Sequence, residues 1–104
     1  MSYSDEDKKQ IEHYTIERVQ TGVRMEKRMV KVLKALAEYL DISLGDLLEG
    51  IVLHAFAGKA PFSAQTLEQI ARLKEIYSMN YGVEASHRLR EITSEHSEEN
   101  KDAL

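Results

Sequence analysis

Between Val19 and Leu36 the chain reads VQTGVRMEKRMVKVLKAL, and its polar residues are of the kinds that read nucleic acid. An arginine can fork onto guanine O6 and N7, and a glutamine can do the same on adenine. Gln20, Gly22 and Arg24 fall at a spacing of two, so on an extended backbone they share one side, with Thr21, Val23 and Met25 on the other. Lys27, Arg28, Lys31 and Lys34 follow directly. From Arg18 to Lys34 six bases meet one acid, Glu26. That is +5, and it leaves −9 for the rest of a chain whose formal net charge is −4. Cations concentrated in this way suit a phosphate backbone, whose condensed counterions they displace.

Other chemistry is poorly represented. His13, His54, His87 and His96 show no HExxH or other metal-binding spacing, and with no cysteine there is neither a thiolate site nor a disulfide framework. There is no glycine-rich phosphate loop, no GxSxG and no nucleophile beside a base. Paired acids such as Glu98–Glu99 sit in a polar tail where nothing would shift their pKa. The expectation is a protein that is not an enzyme and needs no metal or cofactor. With 42% hydrophobic and 31% charged residues it reads as a soluble globular chain of one domain. No apolar run approaches the ~20 residues of a bilayer span, and MSYSDEDKK is unlike a signal peptide, so no membrane partner and a cytoplasmic location are expected.

The elements that would position the basic residues follow from periodicity. Residues 21–25 alternate as a short half-buried strand. From Lys27 to Leu40, Met29, Leu33, Leu36 and Leu40 recur at helical spacing, widened by Val32 and Ala37, and Lys27, Lys31 and Lys34 occupy another face. This helix should end near Asp41. Ser43 then serves as an N-cap with Asp46 three residues on, and Ile42 and Leu47 are placed for a hydrophobic staple. Leu44, Leu47, Leu48, Ile51, Val52, Ala55 and Phe56 form an apolar face too wide for burial on one side, with Gly58 as the stop. Beyond Pro61, Ser63 caps a third helix reaching about Met79, Asn80–Gly82 breaks it, and Val83 to about Ile92 reads as a fourth. Ser4 and Asp7 resemble a capping box within the polar first thirteen residues, and SEHSEENKDAL at the other end is expected to be disordered.

One strand cannot exist alone, because its backbone donors and acceptors need partners. A second copy pairing antiparallel about a two-fold axis would supply them, and would bury the over-apolar second helix as well. In this order of elements, residues 20–56 resemble the ribbon-helix-helix family of the Arc and methionine repressors. The resemblance implies a mainly α homodimer core with one short strand per chain, its two-stranded ribbon lying in the major groove of double-stranded DNA. By position it makes Gln20, Gly22 and Arg24 the base-facing residues and the Ser43–Leu44 helix start a phosphate anchor, with Lys27, Arg28 and Lys31 adding backbone attraction. Three positions depart from the pattern. Gly22 has no side chain to read a base, Thr21 replaces an apolar inward residue, and Asp41 stands where the family often has glycine.

On this reading residues 1–16 are a polar arm, 17–58 the ribbon-helix-helix dimerisation and DNA-binding core, 59–96 a helical extension and 97–104 a disordered tail. The expected function is that of a homodimeric, sequence-specific DNA-binding transcriptional regulator, a repressor by analogy. A second reading is an antitoxin-like partner binder that uses helices within residues 63–96. A third is a dimer without DNA binding, which Gly22 and the acidic excess would suit. The plainest alternative for the basic residues is a solvated helix face, and for Ser43 a simple helix cap.

Overall fold

The computed structural model describes residues 13–92, and their regular structure is helical. Helix α1 spans Lys27–Leu40 and contributes most of the core: Val32, Leu36 and Ala37 are buried, with Leu33 and Leu40 packed beside them. The stripe foreseen from the spacing therefore faces inward. Its N-cap is Glu26, whose carboxylate accepts from the Met29 backbone N–H at 3.1 Å. Helix α2 (Leu44–Phe56) starts at Ser43, whose Oγ accepts from the Asp46 N–H at 3.0 Å, and it buries Leu47 against α1. Helix α3 (Ala64–Ile76) starts the same way, Ser63 Oγ accepting from the Thr66 N–H at 3.2 Å, and packs on α1 through Leu73 and Ile70.

All three helices end alike. In each, one N–H reaches back three residues and the next reaches back five: Asp41 to Glu38 and Ile42 to Ala37, Gly58 to Ala55 and Lys59 to His54, Ser78 to Glu75 and Met79 to Lys74. This is the Schellman arrangement, which requires a left-handed residue at the reversal. Asp41, Gly58 and Ser78 fill that place at φ 61°, 68° and 57°. Only one of the three is glycine, the residue without a steric penalty there.

The structure corrects two expectations. The third helix stops at Ile76, short of Met79, because the left-handed Ser78 turns the chain away. The fourth helix expected from Val83 to Ile92 is a single 3₁₀ turn, Val83–Ala85. His87 takes a left-handed conformation just beyond it, and Val83, Leu89 and Ile92 are exposed. A short helix whose apolar residues find no surface has nothing to offset its nucleation cost.

The expected strand at residues 21–25 forms no ladder in the single chain: residues 13–26 have no regular secondary structure and 13–25 are all exposed. Most of the expected polar arm, with its Ser4–Asp7 capping box, and the tail at 97–104 lie outside the described residues.

Candidate nucleic-acid interface

Gln20, Gly22 and Arg24 are solvent-exposed, as are Lys27 and Lys31. The opposite side of the same segment is exposed too, Val23 by 76%. At Gly22 a Cβ would meet nothing within 4 Å, so within the single chain no close approach calls for glycine. Arg24 is not idle: its guanidinium pairs with the Glu91 carboxylate, which comes from the far end of the described chain.

Arg28 has an internal role as well. Its Nε donates to Glu26 Oε2 at 3.0 Å and its Nη1 to the Ser78 carbonyl at 3.0 Å, and the guanidinium lies 5.5 Å from the Tyr81 ring centroid. The Tyr81 hydroxyl donates to the remaining Glu26 oxygen. Glu26 thus caps α1 and ties residues 78–81 to its first turn. The Tyr81 donation is the main cause holding the Glu26 carboxyl down to about 2; Arg28 and the Met29 N–H assist, against partial desolvation. Burial first, then the hydrogen bond to Glu26 and its charge, pushes the Tyr81 hydroxyl up to about 12. Glutamate is not a favoured N-cap, so no local pattern marks this cluster.

Arg18 forks onto Glu49 of α2, its Nε 2.9 Å and its Nη2 2.8 Å from the two carboxylate oxygens, which lowers the Glu49 pKa. The three arginines of the basic island are therefore paired within the chain. Lys27, Lys31 and Lys34 form no ion pair among the described residues, and Lys31 Nζ stands 6.0 Å from the Tyr77 ring centroid. The island's uncommitted charge is a lysine face on α1.

At the proposed phosphate anchor, Ser43 and Gly45 are exposed and Leu44 is half-buried and packed on the core. The Ser43 hydroxyl is engaged as the cap, which leaves the backbone N–H groups of Leu44 and Gly45 as the donors without helical partners. Asp41 and Asp46 bring negative charge close by.

The second half of α2 leaves an apolar surface open. Leu53 is 67% and Phe56 83% exposed, with Val52 beside them. At Gly50, in the middle of the helix, a Cβ would meet nothing within 4 Å. A cavity of about 440 Å³ opens between α1, α3 and the returning segment, lined by Met29, Leu33, Ile51, Phe62 and Leu89, with Lys74 the one charged residue at its wall. Among the described residues no group of three or more metal-ligating side chains gathers, and no helix is long and apolar enough to cross a membrane.

No protein-family model, curated protein or solved structure matches this chain.

Proposed function

We propose that the chain is one half of a homodimer that binds double-stranded DNA, pairing residues 20–25 of two copies into a ribbon of the ribbon-helix-helix kind, and that it regulates transcription without enzymatic activity. The observation that carries the reading is the surface the single chain leaves unsatisfied. Segment 19–25 exposes Val19 and Val23 and has no ladder partner, and α2 exposes Val52, Leu53 and Phe56. A second copy answers both deficits at once, since the two-fold axis offers each patch its own counterpart. Support for DNA as the ligand comes from the exposed Gln20 and Arg24, the lysine face of α1 beside them, and the free amides at the start of α2.

Selection on random duplex DNA, followed by titration of the selected and a scrambled site, tests the reading. The Arg24→Ala change removes no core atom. It should cost about 1–3 kcal/mol on the selected site and relax the preference at one base pair. Lys31→Ala should instead weaken both duplexes alike, with a shallower salt dependence. Absence of wild-type binding to either duplex at low salt would reject the DNA reading.

A second reading, a partner-binding module, is favoured by Leu67 and Ile76, which remain exposed on α3 after it has packed on α1. Substituting both with serine would abolish capture of such a partner while leaving DNA affinity unchanged.

A further inference from the structure

The cavity of about 440 Å³ between α1, α3 and the returning segment has no part in the proposed function. None of Val19, Val23, Val52, Leu53 and Phe56, the residues that a second copy would cover, lines it. Packed interiors hold few voids larger than a water molecule, so a space of this size belongs to the fold and is not loose packing. Its outer wall is anchored at two points. Arg28 and Tyr81 fix residues 78–81 to the start of α1, and the Gly82 N–H donates to Glu84 Oε2 at 2.8 Å where the 3₁₀ turn Val83–Ala85 begins.

The lining describes the guest it would take. Met29, Leu33, Phe62, Ile70 and Leu89 make the wall apolar, and an apolar cavity stays dry and accepts apolar molecules. Lys74 supplies the one charge, and no acid lines the cavity with it. It is half-buried and forms no ion pair among the described residues. Glu84 feels the Lys74 charge, but its carboxyl is held down chiefly by the Gly82 N–H on which it is seated. A neutral guest would leave the ammonium facing hydrocarbon, whereas a carboxylate would give it a charge-assisted hydrogen bond. Small-molecule sites run from about 300 to 1,000 Å³, and this cavity stands in the lower part of that range, sized for one small molecule.

We infer that the cavity binds a small amphipathic carboxylate of the medium-chain fatty acid type, its hydrocarbon body between α1 and α3 and its carboxylate accepting from Lys74 Nζ. The inference goes beyond the DNA-binding reading and does not depend on it.

Calorimetric titration of the full chain with octanoate and 1-octanol tests this. Octanoate should bind, and 1-octanol, with the same chain and no charge, about tenfold more weakly. Lys74→Met keeps an apolar stem in place and should bring octanoate down to the level of 1-octanol. Lys59→Met removes a cation from an exposed position beyond α2 and should change neither. Ala85→Phe puts a ring into the cavity from its outer wall and should abolish binding of both. Intermolecular NOEs from the octanoate chain to the Met29 and Met79 methyl groups would place the ligand without recourse to any variant. The inference is overturned if wild type fails to bind octanoate, or binds both probes equally. Octanoate affinity unchanged in Lys74→Met, or bound octanoate without NOEs to those two methionines, would overturn it as well.

Discussion

Asp41 holds the left-handed position between α1 and α2 at φ 61°, a conformation that costs most L-residues roughly 1–2 kcal/mol and aspartate somewhat less. Glycine adopts it freely, although its unfolded chain gains entropy. Asp41→Gly should therefore change stability by about +0.5 to +1 kcal/mol, read as a higher urea midpoint with unchanged slope. The same change removes a carboxylate close to the amides of Leu44 and Gly45, so affinity for a random duplex should rise as well. Glu26 invites a test by pH. Its folded-state carboxyl lies near 2 against an ordinary 4.5, so its contribution to stability is fully present above 4.5 and is lost as pH falls from 4.5 toward 2. Glu26→Gln should lower the melting temperature at pH 7 and flatten its decline between pH 4.5 and 2.5. A decline as steep as wild type would place the acid sensitivity elsewhere, with Glu49 and Glu84, whose pKa values are also lowered, the next to test.

At the scale of the elements, α3 belongs to the core and is not an appendage. Leu73 is buried against α1, with Phe62, Ile70, Tyr77 and Met79 packed around it. Leu73→Ala should cost about 2–3 kcal/mol in chemical denaturation, and removal of the chain from Phe62 onward should lower the melting temperature further. An unchanged melting temperature would make the extension a free binding arm. The helices were legible from spacing because a stripe every three or four residues encodes which face is buried, and Ser43 and Ser63 announce helix starts through their hydroxyls. Helix ends were harder to read. Asp41 and Ser78 do the work usually given to glycine, and nothing local says that Ser78 will turn left-handed before Met79. The apolar residues from Val83 to Ile92 have the spacing of a helix, yet spacing cannot reveal whether a surface exists to receive it. The Glu26–Arg28–Tyr81 cluster escaped because its parts lie 55 residues apart and its cap is of an unfavoured type. Of the candidate site, Gln20 and Arg24 are exposed, but so is the opposite side of the alternation, because the single chain offers the segment no partner; the internal pairing of Arg18, Arg24 and Arg28 was not legible either, since only tertiary proximity creates it.

For the whole molecule, the small core of the single chain is decisive. Among the described residues only Val32, Leu36, Ala37, Leu47 and Leu73 are buried, and none of the buried residues is polar or charged. So few side chains leave little to set against the ordering of the backbone, which costs roughly 1–2 kcal/mol per residue. With dimerisation as proposed, folding and association become one equilibrium, and the melting temperature should climb with protein concentration. A melting temperature constant over a hundredfold dilution, together with a monomer mass by light scattering, would reject the dimer. That same sparse core sets a rhythm for subunit exchange. A protomer leaving its partner would leave most of its buried surface behind and would have to unfold on the way out. Mixed dimers from two labelled pools should then appear no faster than the protein unfolds. At low copy number the concentration of dimer would grow as the square of chain concentration, so a twofold change in synthesis would become a nearly fourfold change in the species that meets DNA.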